Sequence, residues 1–85
     1  MPEIIVYSTT VCPYCVKAKA LLDRKGAKYQ EVNLDREPQR RDEMVQKAGG
    51  RKTVPQIFIN GQHMGGCDDL HELDRKGGLD PLLAV

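Results

Sequence analysis

The sequence predicts a small α/β domain built on a mixed β-sheet, and three observations predict it. An uninterrupted β-branched and aromatic run, Ile4-Ile5-Val6-Tyr7, suits a strand buried on both faces. A helix-period segment and a second apolar run follow it, and a strand, helix, strand order implies a right-handed parallel crossover. Further on, Asn60-Gly61 separates two short strand-like runs, and Asn-Gly supplies the positive φ angles of a tight type I′ hairpin turn. The first half of the sheet is therefore expected to be parallel and the second antiparallel.

Each element has its own signals. After the central first strand and the Ser8-Thr9-Thr10-Val11 loop, Pro13 suits the first turn of a helix, where its missing N–H is harmless. Val16, Ala18, Ala20, Leu21 and Leu22 supply the apolar period, and Gly26 ends the helix behind Arg24 and Lys25, which suit its negative end. Tyr29, Val32 and Leu34 form the second strand. Pro38 opens a polar, half-exposed helix with a narrow stripe of Met44, Val45 and Ala48, closed by Gly49-Gly50. Gln56-Ile57-Phe58-Ile59 and Gln62-His63-Met64 form the hairpin. Asp68 or Asp69 can cap a last helix carrying Leu70 and Leu73, ended by Gly77-Gly78, and Leu79, Leu82 and Leu83 pack as a tail.

The chain has 85 residues, room for one domain over 1–85 and one site. Thirteen basic and twelve acidic residues, net charge +1, create no field that favours nucleic acid or an anionic membrane, so a charged ligand must be recognised locally. Apolar runs such as Ile4 to Val6 fall far short of the roughly 20 residues that span a bilayer, and the first residues carry no basic segment followed by an apolar one. The expectation is a soluble, monomeric, cytoplasmic protein. Three cysteines, an odd number, argue against a framework of structural disulfides and for a thiol that reacts.

Cys12-Pro13-Tyr14-Cys15 places two thiols on one face of a first helical turn, close enough to form a disulfide. Exchange needs a thiolate, and a cysteine of pKa about 8.5 is only about 3% ionised at pH 7. Lowering that value to about 6 requires roughly 3.4 kcal/mol, whereas a helix N-terminus contributes about 0.3–1 and at most about 2 kcal/mol. Hydrogen bonds to the sulfur must supply the rest, from backbone N–H groups, the Cys15 thiol, or the Thr9 and Thr10 hydroxyls. Cys12, nearer the positive helix end, is the candidate nucleophile, and Cys15, one turn inside, the resolving thiol. The same spacing is also that of a zinc half-site, which His63, Cys67 and His71 could complete. The proline within the pair and the lack of a second close cysteine pair favour redox chemistry.

The sequence resembles the glutaredoxins, in particular the dithiol glutaredoxin 3 type of bacteria, in three separated segments: Cys12-Pro13-Tyr14-Cys15, Thr53-Val54-Pro55 and Gly65-Gly66-Cys67-Asp68-Asp69-Leu70. The similarity runs essentially end to end. It implies a thioredoxin-like fold, a four-stranded mixed sheet flanked by three helices, with Pro55 cis. It also implies a glutathione-dependent disulfide oxidoreductase acting on disulfide-containing or glutathionylated proteins, with glutathione as co-substrate and no tightly bound cofactor or metal. By resemblance, the Val54 backbone would pair with the cysteinyl part of glutathione as an added strand, with Thr53 and Tyr14 lining the groove. Gly66 and Cys67 would offer backbone N–H groups to the γ-glutamyl carboxylate, and Asp68 or Asp69 would meet its ammonium.

Each of these residues also has a plainer reading. Asp68 and Asp69 can be helix caps, Gly65-Gly66 a turn, Tyr14 a surface aromatic, and Cys67 a small buried hydrophobe, an accessory wall or a third redox thiol. One departure from the family stands out, because glutaredoxins commonly carry a lysine shortly before the first cysteine and Thr9 stands at that place. Its loss removes a stabiliser of the Cys12 thiolate and a partner for a glutathione carboxylate, unless Arg51, Lys52 or an arginine of the second helix compensates. Three alternatives remain beside this reading: a thioredoxin-like reductant served by a flavoprotein, a binding protein holding zinc or an iron–sulfur cluster through Cys12 and external glutathione, and a purely structural interaction domain.

Overall fold

The computed structural model describes residues 2–84. Strand β1 (Ile4–Ser8) lies inside a four-stranded sheet of order β2-β1-β3-β4, flanked by β2 (Gln30–Asn33) and β3 (Gln56–Ile59), with β4 (Gln62–Gly65) at the edge. β1 and β2 run parallel, while β3 is antiparallel to both β1 and β4. The mixed sheet has the thioredoxin-like arrangement that the resemblance implies.

The run at β1 lacks polar alternation because both of its faces are covered. Ile4 and Val6 join Ile57 and Ile59 beneath α1 (Pro13–Arg24) and α3 (Cys67–Arg75), in a core completed by Ala18, Leu21, Leu22 and Leu70. Tyr7 and Phe58 point to the opposite face and pack with Val32, Leu34, Met44 and Ala48, under α2 (Arg41–Lys47). Burial of a side chain such as Leu21 or Phe58 contributes about 1.5–3 kcal/mol, so these two layers hold the domain without crosslinks between its elements.

Several details differ from expectation. On α1 the inward face is Cys15, Ala18, Leu21 and Leu22, whereas Val16 and Ala20 face solvent. The buried Cys15 sets the phase, and a residue one position further on is rotated by about 100° away from the core. The second helix begins as a 3₁₀ turn at Pro38–Arg40 before α2. Leu79 to Leu83, expected as a packed tail, forms a one-turn helix, α4 (Leu79–Leu83), that buries Leu79 and adds a fourth helix to the expected three. Asn60 and Gly61 have φ of 53° and 81°, as the tight turn between β3 and β4 requires.

Candidate active site

Cys12 is the N-cap residue of α1, and its sulfur takes the place that a serine or aspartate oxygen usually fills. The backbone N–H of Cys15 donates to Cys12 Sγ over 3.0 Å. No acidic residue stands in the first turn, so the positive end of the helix is left to the sulfur. The two cysteines are joined as a disulfide with their Cα atoms 5.2 Å apart, within the span such a bond allows. Cys15 is 1% exposed and Cys12 9%. Around Cys12 stand three exposed apolar side chains, Val11, Tyr14 and Val16.

Thr10 of the preceding loop serves another purpose than the one expected. The Thr10 N–H donates to Asp35 Oδ2 over 2.7 Å, its hydroxyl also bonds that carboxylate, and Asn33 Nδ2 donates to Thr10 Oγ1. These bonds hold the Asp35 carboxyl below its ordinary range and tie the loop to the end of β2. The Thr10 hydroxyl is thereby directed to Asp35 and not to Cys12. Of the cations suggested as substitutes for the missing lysine, Arg40 pairs with Glu43 and Arg51 with Asp69, and Arg41 donates to the Lys52 backbone carbonyl, while Lys52 itself is exposed.

Cys12 Sγ lies 4.0 Å from the Val54 carbonyl oxygen, which brings the loop before β3 against the first turn of α1. The Val54–Pro55 peptide is cis. A cavity of about 140 Å³ opens there, with Tyr14 on one side, Thr53, Val54 and Pro55 along its floor, and Gly66, Cys67, Asp68 and Asp69 at the start of α3. Three segments far apart in sequence thus share one depression beside the cysteine pair. Arg51 joins the same wall, although the sequence suggested it only as a compensating cation.

At the α3 end the geometry corrects two expectations. Gly66, not an aspartate, is the N-cap residue, and Asp69 at the third helical position reaches back to accept the Gly66 N–H over 3.0 Å. That N–H is therefore already engaged, and the helix end presents the N–H groups of Cys67 and Asp68 instead. Asp69 also accepts from Arg51 Nη1 over 2.9 Å, and the Gly66 bond with this guanidinium holds its carboxyl below the usual range. Asp68 is the second exposed carboxylate of the cavity. Gly65, with φ of 97°, sits so close to Asp69 that an added Cβ would fall 2.4 Å from Oδ2.

Cys67 is buried, and burial followed by the charge of Asp68 pushes its thiol upward, which disfavours a reactive thiolate and leaves it as a wall residue. His71 Nδ1 lies 2.9 Å from the Cys67 carbonyl oxygen, one helical turn away. Among the described residues no group of three or more His, Cys, Asp or Glu side chains is placed to hold a metal ion. None of the described helices is long and apolar enough to cross a membrane.

Comparison with known proteins places this geometry in context. The family model described as Glutaredoxin matches residues 4–64. The chain is 55% identical to Glutaredoxin 3 of Escherichia coli strain K12 over 83 residues, covering 98% of this chain and 99% of that one. It is 54% identical to a glutaredoxin of Pseudomonas aeruginosa over the full length of both. Among solved structures, a buckwheat glutaredoxin–glutathione complex superposes with a TM-score of 0.90 at 41% identity, covering 98% of this chain and 77% of that chain.

Proposed function

The chain belongs to the glutaredoxin family of thiol–disulfide oxidoreductases, and from that premise we propose that it uses glutathione to reduce protein disulfides and glutathionyl mixed disulfides through Cys12 and Cys15. The observation that carries this reading is the cavity beside the pair, whose walls are the Thr53 to Pro55 loop and the start of α3. Glutathione is an extended peptide with an internal cysteine, two carboxylates and one ammonium. An extended backbone floor, free helix-end N–H groups and an exposed aspartate at one end suit those features.

In the proposed mechanism the Cys12 thiolate, held by the Cys15 N–H and the helix end, attacks one sulfur of a substrate disulfide. A Cys12–substrate S–S bond forms and the other sulfur leaves as a thiolate. With a protein disulfide, the Cys15 thiolate then attacks Cys12 Sγ, releasing the second substrate thiol and leaving the Cys12–Cys15 disulfide. Two glutathione thiols reduce that disulfide in turn and depart as oxidised glutathione. With a glutathionylated protein, Cys12 takes the glutathionyl sulfur, the protein thiolate leaves, and a second glutathione attacks the mixed disulfide without help from Cys15. Tyr14, Thr53, Val54 and Pro55 line the cysteinyl part, Cys67 and Asp68 N–H groups hold the γ-glutamyl carboxylate, and Asp68 meets its ammonium. Gly66 and Asp69 shape that end from behind.

A glutathione-coupled mixed-disulfide assay tests the assignment. Cys12→Ser should abolish reduction of both substrate types, whereas Cys15→Ser should retain deglutathionylation and lose reduction of protein disulfides. Equal loss of both activities in Cys15→Ser would overturn the division of roles, and wild-type turnover that requires a flavoprotein reductase in place of glutathione would overturn the glutathione reading.

A further inference from the structure

Among the described residues, two polar side chains are buried outright, Ser8 and Gln56. Ser8 donates to Glu31, itself paired with Lys19. Gln56 is the less expected, because it opens β3 on the same face as Phe58 and opposite Tyr7, where an apolar residue would pack without any partner to find. Its amide is fully engaged. Nε2 donates to the Thr53 carbonyl oxygen over 2.9 Å and to Thr53 Oγ1 over 3.2 Å, while Oε1 lies 2.6 Å from His63 Nε2.

The directions of these bonds follow from what each atom can do. A backbone carbonyl only accepts, so the NH₂ end of Gln56 must face Thr53 and its carbonyl end must face His63. His63 Nε2 then carries the proton that closes the contact, and its ring is held against Phe58 with centroids 5.0 Å apart. Thr53 Oγ1 accepts from Gln56, so its own hydrogen is directed elsewhere, and Thr53 lines the cavity beside Cys12. We propose that Gln56, oriented by His63, is a positioning residue that fixes the Thr53 hydroxyl as a hydrogen-bond donor toward an acceptor oxygen of bound glutathione. The inference rests on the glutathione reading above. It assigns to a buried amide outside the cavity the polarity of one of its walls.

The test is steady-state turnover of a glutathionylated peptide with glutathione, in the wild type, Gln56→Leu, Gln56→Glu, Thr53→Val and the Gln56→Leu/Thr53→Val double variant. Loss of one neutral hydrogen bond to substrate should raise KM about fivefold with kcat within about twofold, in both Gln56→Leu and Thr53→Val. The double variant should be no worse than either single one, because both remove the same bond. Gln56→Glu is nearly isosteric but only accepts when ionised, so it should capture the Thr53 proton and raise KM at least as much. Thr53→Ser should restore the wild-type KM. A folded Gln56→Leu with unchanged KM, or effects that multiply in the double variant, would overturn the inference while leaving the function intact. Thr53 is exposed, so Thr53→Val folds whatever becomes of the core variants, and a wild-type KM in it alone is equally decisive against the idea. A wild type that does not turn over with glutathione overturns the functional reading and this inference with it.

Discussion

Replacing Gly65 by alanine should damage the start of α3 in a way that can be separated from ordinary glycine strain. Gly65 has φ of 97°, and Gly61, in the tight turn, has φ of 81°, so alanine suffers similar backbone strain at both, about 1–2 kcal/mol. At Gly61 an added Cβ meets nothing within 4 Å, while at Gly65 it would lie 2.4 Å from Asp69 Oδ2 and 2.6 Å from Asp69 Cβ. Asp69 must then move, giving up the Gly66 N–H and Arg51 bonds of 3.0 and 2.9 Å. Hydrogen bonds to a charged group contribute about 1.5–3 kcal/mol, and the low end applies because the Asp69 side chain is 52% exposed. Gly65→Ala should therefore cost about 1.5 kcal/mol more than Gly61→Ala. At about 4–8 °C per kcal/mol for a domain of this size, that is an additional fall in Tm of about 6–12 °C. Calorimetry or thermal circular dichroism on both variants measures the difference, and in an Asp69→Ala background the share of the extra loss that comes from the two Asp69 bonds should vanish, while the contact with the Cβ that alanine keeps remains. Equal falls for the two alanine variants would refute the claim that Gly65 is a glycine because of Asp69.

Two further outcomes follow from charge. Adding the absent cation, Thr9→Lys, should lower the Cys12 pKa, read as thiolate absorbance against pH in the reduced protein, and no downward shift would sink the idea that Thr9 leaves the Cys12 thiol less acidic. On the opposite face of the sheet, Arg40 first and the Tyr7 hydroxyl second hold the Glu43 carboxyl down to about 2. A depressed carboxyl contributes stability above its unfolded value near 4.5 and loses it as pH falls through about 2. Glu43 is 34% exposed, so screening reduces the contribution to about 1 kcal/mol. Urea unfolding from pH 4.5 down to 2 should therefore show a shallower loss in Glu43→Gln than in wild type, and parallel losses would exclude the pairing as a source of acid sensitivity.

The strands, the crossover and the hairpin were legible because their signals are local: a β-branched run, a helix period, an Asn-Gly turn. Short-range chemistry also placed Pro13 in a first turn and Cys12 at its head. What the sequence could not disclose depended on which competing partner a group meets in space. The Thr10 hydroxyl had two plausible acceptors, and Asp35 took it. The Gly66 N–H could have faced a ligand, but Asp69, three residues on, reaches it first. Val16 and Ala20 satisfied the helical period equally well on paper, yet burial of Cys15 turned them outward. Gln56 carried a readable signal, a polar residue in phase with Phe58 in an otherwise apolar strand, but its partners Thr53 and His63 are known only once the strands pair.

The sulfur that caps α1 is also the atom that changes oxidation state, so the helix and the redox couple share one free energy. In the reduced protein the cap can be an anion at the positive end of a helix; in the disulfide it is a neutral sulfur accepting the same Cys15 N–H. Around a thermodynamic cycle, the difference in unfolding free energy between the two forms equals the difference in disulfide-forming tendency between folded and unfolded chain. A melting curve of each form is therefore a potentiometric measurement in another guise. Any substitution that alters how well the first turn of α1 receives a charge must move both readings by the same amount.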